Sequence, residues 1–207
     1  MDQIRKEYTK AILSEEHLVQ DPIAQFKIWF DQTLESEVKE PTAMILSTVG
    51  LDSKPSSRVV LLKNIFNGEF IFFTNYLSRK GKELTTNPNA CLLFFWDAME
   101  RQIRIEGKVN PLQSSESENY FYSRPLSSQI GAIISPQSQV ISSRQELEDQ
   151  IAYYEQHPEE IKKPKHWGGF KLSPDYFEFW QGRESRLHDR FCYQLENSEW
   201  NVSRLAP

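Results

Sequence analysis

The stretch Trp180 to Arg190, WQGRESRLHDR, sets Arg186, His188 and Arg190 at i, i+2 and i+4. In an extended strand that spacing turns all three to one face and sends Leu187, Asp189 and Phe191 to the other. Two guanidiniums and an imidazole side by side repel one another and resist burial, so the arrangement calls for an anionic counterpart. With Trp180 heading the segment, a phosphorylated aromatic small molecule supplies both the charge and the ring.

Three other clusters carry cations in patterns that suit anions. In Arg58-Val59-Val60-Leu61-Leu62-Lys63 an arginine and a lysine bracket four aliphatic residues. Their odd separation sends them to opposite faces of a regular strand, where they serve different anions or mark a bulge. Thr74, Ser78, Arg79 and Lys80 sit at a strand end and a helix start, and cations at a helix N-terminus are unfavourable without an anion. Tyr120 and Arg124 stand i, i+4 on one helix face, followed by Ser128 and then Gln137-Ser138; the arginine fork matches phosphate oxygens. Gln102, on an alternating strand, can donate to the polar edge of a ring. Taken singly, each cluster also reads as strand-end charge, a solvated pair or a helix cap.

Other chemistries find no support. There is no Ser-His-Asp pattern, HExxH, CxxC or P-loop, and the four histidines, His17, His157, His166 and His188, are scattered, which argues against a metal site. Several anion-binding pieces among many aromatics point instead to an organic cofactor that carries the hard chemistry. A net charge of −5 speaks against a general nucleic-acid binder and makes local cation clusters more informative. Cys91 and Cys192 lie in apolar runs without metal spacing and read as reduced thiols of a cytoplasmic protein. No run is long enough to span a membrane, and the N-terminus lacks a signal-type apolar core.

The elements that must position these groups follow from periodicity. Residues 1–20 are polar and read as a flexible arm or a short late-docking helix. Asp21-Pro22 opens a helix to about Glu37, in which Ile23, Phe26, Phe30 and Leu34 share a face. Strands are expected at 43–49, 57–65, 69–75, 90–96 and 102–110, with Asn67-Gly68 as a hairpin turn. Short helices follow, capped by Ser78 and by the boxes at 115–118 and 143–146, and strands return at 167–172, 176–181, 187–195 and 200–205. Residues 21–207 therefore make one α+β domain, an antiparallel meander curled into a barrel that the C-terminal strands complete.

Assembled in order, these segments resemble the pyridoxine/pyridoxamine 5′-phosphate oxidase family of FMN-binding split barrels. The resemblance rests on IRKEYTK (4–10), PTAMILSTV (41–49), RVVLLK (58–63), FFTNYLSRK (72–80), RQIRIEG (101–107), YFYSRPLSSQIGA (120–132), SPQSQVI (135–141), WGGFKLSPDYFEFWQGRESRLHDR (167–190) and the terminal RLAP. It implies a Greek-key-like antiparallel split barrel with flanking helices, and a homodimer with two FMN sites between subunits. Its segment from about 165 to 207 serves dimerisation and substrate. By matching motif positions, FMN falls to Arg58, Val59, Val60, Leu61, Leu62, Lys63, Phe73, Thr74, Arg79, Lys80, Gln102, Gln137, Ser138, Trp180 and Arg190. The substrate phosphate falls to Lys63, Tyr120, Arg124 and Ser128, and the pyridine ring to Arg186, Leu187 and His188, with Arg5 and Tyr8 of the arm closing over it. Arg186 and His188 are the expected catalytic residues. Glu40 and Phe73 depart from the family pattern, which more often has Asp and Tyr there.

The resemblance implies oxidation of pyridoxine or pyridoxamine 5′-phosphate to pyridoxal 5′-phosphate, with dioxygen reduced to hydrogen peroxide. Two other readings stay open on the residues: a flavin oxidase for another aromatic metabolite such as a phenazine precursor, and a non-catalytic flavin or pyridoxal phosphate carrier. A phosphate clamp at Tyr120, Arg124 and Ser128 favours the first reading over the phenazine one.

Overall fold

The computed structural model describes residues 7–207. Nine antiparallel strands form one sheet: β1 (Ala43–Val49), β2 (Pro55–Leu61), β3 (Asn64–Phe66), β4 (Glu69–Asn75), β5 (Asn89–Trp96), β6 (Arg101–Pro111), β7 (Trp167–Gln181), β8 (Asp189–Glu196) and β9 (Glu199–Leu205). Five helices flank it: α1 (Pro22–Leu34), α2 (Arg79–Thr86), α3 (Ser114–Ser123), α4 (Leu126–Ile134) and α5 (Gln145–Gln156).

The strand order is β2-β1-β5-β6-β7-β4-β3, so the simple meander expected from the sequence is corrected. Hairpins β1–β2 and β3–β4 lie at opposite edges, yet only Leu62 and Lys63 separate β2 from β3. That two-residue connection forces the edges together and curls the sheet. The backbone N–H of Leu62 donates to Thr42 on one side, and that of Lys63 donates to Ile71 on the other, each at 2.8 Å. The hairpin at Asn67-Gly68 is as expected, with both residues at positive φ, 49° and 77°.

β7 organises the rest. Separate strands at 167–172 and 176–181 were expected, but Trp167–Gln181 is one strand lying along β6. Its other edge is divided: residues 167–172 pair with β4 and residues 176–181 pair with β8. The change of partner falls at Pro174, which has no N–H to give a ladder, opposite the register shift at Glu106/Gly107. This split lets a single strand run from one functional region to another.

α1 seals the barrel. Asp21 caps its N-terminus and Pro22 occupies its first turn, as expected; the helix ends at Leu34, three residues early. Its Phe26 is fully buried against Phe70 and Phe94, with Trp29 against Phe179. Phe26→Ala should cost about 3–5 kcal/mol by the usual cavity penalty. A smaller core of Phe121, Ile130, Ile134, Ile161 and Trp167 packs α3 and α4 on the start of β7.

The segment before α1, expected as a flexible arm, is docked where it is described. Leu13 is 2% exposed. Its N–H donates to the Asp189 carboxylate at 3.1 Å, and that of Lys10 donates to Glu100 at 3.0 Å. Arg204 grips Glu15 through two 3.0 Å bonds. Arg5 lies outside the described residues.

Candidate active site

Two clusters carry the expected site residues, and β7 joins them. At its Trp167 end an open cavity of about 430 Å³ is lined by Val59, Val60, Leu61, Lys63, Phe73, Thr74, Asn75, Lys80, Tyr120, Arg124, Ser128, Gly131, Ala132, Ser135, Gln137 and Trp167. Eleven of the expected residues meet here, from β2, the β2–β3 link, β4, α2, α3, α4 and the loop after it. Arg124 was expected on the helix face of Tyr120. Instead α3 stops at Ser123 because Pro125 disfavours helical backbone at the residue before it, and Arg124 is extended. It still reaches the cavity, its guanidinium 4.6 Å from the Trp167 ring centre and its Nη2 donating to the Ser128 carbonyl at 2.7 Å. Phe73 stacks on Tyr120 at 3.8 Å and on Trp167 at 5.4 Å, making an aromatic wall.

The electrostatics of this cavity are those of a receptor for anions. Arg124 Nη1 is buried and has no hydrogen-bond partner among the described residues. Lys80 is 9% exposed, and its Nζ donates only to neutral oxygens, Thr74 Oγ1 at 3.2 Å and Gln137 Oε1 at 2.9 Å. Burial pushes the pKa values of both cations down, and burial raises that of Tyr120. Desolvated cations whose hydrogen bonds go only to neutral acceptors are stabilised by an incoming phosphate.

Arg58 and Arg79 stand just beyond the lining. Arg58 turns to the face of β2 opposite Val59 and donates to Thr48, Ser56 and Glu83. Arg79 Nε donates to Glu83 at 2.8 Å from the first turn of α2, which Ser78 caps as expected. Burial pushes the Glu83 carboxyl up, but hydrogen bonds from Ser56, Thr48 and Arg79 together with the Arg79 charge bring it down to about 2. Leu62 faces the core, and Ser138 is exposed at φ 70°.

At the other end of β7, Gln102, Trp180 and Arg190 stand directly opposite one another on β6, β7 and β8 and so share one face. Arg186, His188 and Arg190 do not share a strand, which corrects the i, i+2, i+4 expectation. The chain makes a tight turn at Glu184–Arg186, with Ser185 and Arg186 both at positive φ, and β8 starts only at Asp189. Asp189 fixes this turn: its carboxylate accepts from Arg183 at 2.9 Å and from the Leu13 N–H. Arg186 and Leu187 are exposed, while His188 packs 4.6 Å from Trp180 and 5.9 Å from Tyr8.

Two details define what this end offers. The Arg183 N–H donates to His188 Nδ1 at 3.1 Å, so the neutral imidazole carries its proton on Nε2. Burial and the Arg186 charge lower its pKa, which favours that neutral form. Arg190 is neutralised by Glu178, which is 3% exposed and also pairs with Arg104 at 2.8 Å. Glu83, Trp167, Glu178 and Asp189 escaped sequence reasoning. Glu178 alone left a signal, since it is two residues from Trp180 and therefore on the same face.

A curled antiparallel barrel with a cationic, aromatic-walled cavity defines the class, an FMN-type split barrel that takes phosphorylated ligands. Residues 30–158 match the family model for pyridoxamine 5′-phosphate oxidase, and residues 167–207 match that for the pyridoxine 5′-phosphate oxidase C-terminal dimerisation region. The pyridoxine/pyridoxamine 5′-phosphate oxidase of Cytophaga hutchinsonii is 50% identical, with 99% of this chain and 97% of that protein covered. That of Actinobacillus succinogenes is 53% identical, covering 99% and 98%. Among solved structures, PhzG from Burkholderia lata in complex with tetrahydrophenazine-1-carboxylic acid superposes with a TM-score of 0.90 at 31% identity, covering 95% of this chain and 98% of that one. An FMN-binding protein from Nostoc punctiforme shares the fold, with a TM-score of 0.72 at 15% identity over 92% and 100% of the two chains. The chain belongs to the pyridoxine/pyridoxamine 5′-phosphate oxidase family.

Proposed function

We propose that the protein oxidises pyridoxine or pyridoxamine 5′-phosphate to pyridoxal 5′-phosphate in a homodimer, each site joining the cavity of one chain to the Trp180 end of its partner. The observation that carries this is the separation of the clusters. Trp167 and Trp180 lie thirteen residues apart on β7, roughly 40 Å along a strand. None of Trp180, Arg186, His188 or Arg190 lines the cavity. A second copy can bring the two ends together, and the match to a dimerisation region over 167–207 supports that arrangement.

The cavity residues fit two phosphorylated ligands. Lys80, Thr74 and Gln137, with the β2 segment Arg58–Leu61 and Arg79, would hold FMN. Lys63, Tyr120, Arg124 and Ser128 would hold the substrate phosphate, and Arg124 still has a nitrogen, Nη1, without a partner among the described residues. Bound FMN would supply the redox chemistry between the substrate and dioxygen. The chain itself contributes position and electrostatics. His188, neutral and protonated on Nε2, donates to a polar substituent of the pyridine ring and does not serve as the base. Arg186 would orient the substrate ring, and Tyr8 would exclude water from it. With Cys91 and Cys192 both free thiols, we assign the reaction to the cytoplasm.

A buried guanidinium that needs a phosphate also counts against a non-phosphorylated phenazine-type substrate. The test is anaerobic addition of pyridoxine 5′-phosphate to the FMN-loaded protein. Flavin absorbance should bleach and return in air with hydrogen peroxide; an unchanged spectrum would overturn the proposal.

A further inference from the structure

A second cavity, of about 460 Å³, lies between the docked arm, the loop after α1 and the turn joining β5 to β6. Lys10, Ser36, Glu37, Met99 and Arg101 are among its walls, and it shares no lining residue with the first. Its Arg101 is unusual. Arg58, Arg79, Arg104, Arg144, Arg183, Arg190 and Arg204 each bridge to a carboxylate. Among the described residues, only Arg101, Arg124 and the exposed Arg186 have no such partner.

The Arg101 guanidinium lies 4.4 Å from the centre of the Trp29 ring and donates only to neutral amides, Gln181 Oε1 at 2.9 Å and Gln32 Oε1 at 2.5 Å. Burial pushes its pKa down to about 10, with no opposing charge. Lys10 Nζ donates to the Ala98 carbonyl at 2.6 Å. The nearby carboxylates do not neutralise these cations. Glu37 is exposed and forms no ion pair among the described residues, while the Glu100 carboxylate accepts from the Lys10 backbone N–H. A guanidinium fork and an ammonium lining one cavity suit a tetrahedral oxyanion.

We propose that this cavity is a second anion site, taking a small phosphate-bearing molecule between Lys10 and Arg101. Lys10 follows Tyr8 by two residues, and Arg101 holds Gln181, the neighbour of Trp180. An occupant therefore bridges the arm to β6 and favours the docked position of Tyr8. That coupling rests on the proposed function; the binding itself does not.

Calorimetric titration of the FMN-loaded protein with inorganic phosphate, and separately with phenyl phosphate, tests the site. Two classes of binding are expected. Arg124→Gln should abolish one and leave the other. Lys10→Gln should weaken the second about ten-fold, the scale of a lost charge-assisted hydrogen bond, and leave the first unchanged. Glu37→Gln should strengthen the second. FMN content reports that each variant is folded. A single class that disappears in Arg124→Gln, or a second class indifferent to both Lys10→Gln and Glu37→Gln, overturns the proposal. Anaerobic bleaching by substrate decides the catalytic reading independently.

Discussion

The two ends of β7 solve opposite electrostatic problems. At the Trp167 end, Lys80 and Arg124 are desolvated yet donate only to neutral acceptors among the described residues, where one guanidinium nitrogen has no partner. At the Trp180 end Arg190 on β8 and Arg183 in the turn are already neutralised, by Glu178 at 2.9 Å and by Asp189 at 2.9 Å. The first end is built to take up charge from a ligand. The second has spent its charge internally, and under the proposed function its Trp180, His188 and exposed Arg186 serve as a platform for a ring. A single chain keeps them apart because β7 exchanges β4 for β8 at Pro174.

The strongest way to break this comparison is to damage one end in each of two chains. Arg124→Ala removes the proposed phosphate fork, and Arg186→Ala removes the proposed ring clamp. As separate homodimers each should lose about 100-fold or more in kcat/KM, the usual scale for a desolvated charge pair broken on one side. Arg186→Ala should lower turnover far more than FMN affinity. Refolded together in equal amounts, about half the dimers are mixed, and each mixed dimer holds one site with neither lesion. Roughly a quarter of wild-type activity should therefore return. If both ends served the same chain's site, every site in a mixed dimer would carry one lesion, and activity would stay near that of the parents.

Carboxylates sharpen the comparison next. Glu178→Gln leaves Arg104 and Arg190 facing each other across a buried position, and should cost about 3 kcal/mol in urea unfolding. Phosphate affinity at the Trp167 end should be unchanged. Glu83 plays the matching part beside the cavity, where it gathers Arg58, Arg79, Thr48 and Ser56, and Glu83→Gln should cost about 2 kcal/mol at neutral pH. Its carboxyl is held at about 2 in the folded chain, below its ordinary value of 4.5. The stabilisation it gives is thus fully present above pH 4.5 and is lost as pH falls towards 2. Stability curves of wild type and Glu83→Gln should converge in that window. A gap that stays constant down to pH 2 would show that Glu83 acts through packing and not through charge.

Local signals in the chain were enough for most strand positions, the Asn67-Gly68 turn, the Ser78 cap and the cation clusters that meet in the cavity, because each depends on periodicity or on one residue type. What they could not give was long-range partnership. Nothing near Trp167 says that β4 will pair with it, and nothing in EFWQ says that Glu178 will neutralise Arg190. The reading of Arg186, His188 and Arg190 as one strand face failed for a related reason. Alternation assumes continuous extended backbone, but Asp189 is drawn into bonds with Arg183, Arg204 and the Leu13 N–H, which hold the preceding residues in a turn. Those partners come from distant parts of the chain. The resemblance assigns Arg186, His188 and Arg190 to the site without that geometric argument, which does not hold.

The mildest perturbation concerns the lid over the Trp180 end. Tyr8 meets the Trp180 ring edge-on at 5.7 Å and also lies against Gly182. A Cβ on Gly182 would sit 2.7 Å from Tyr8 Cγ, and its three nearest atoms all belong to Tyr8, so an alanine there collides first with that side chain. Gly182 does not need a left-handed backbone, so Gly182→Ala should leave the β7–β8 turn intact and displace only Tyr8. KM for pyridoxine 5′-phosphate should rise several-fold, on the scale of one lost aromatic contact, with FMN affinity unchanged. Tyr8→Ala should reproduce the effect, and the double variant should show no further loss, because both substitutions remove the same contact. An additive double variant would mean that Gly182 acts on the platform itself, and the ring end would then be less rigid than its paired arginines imply.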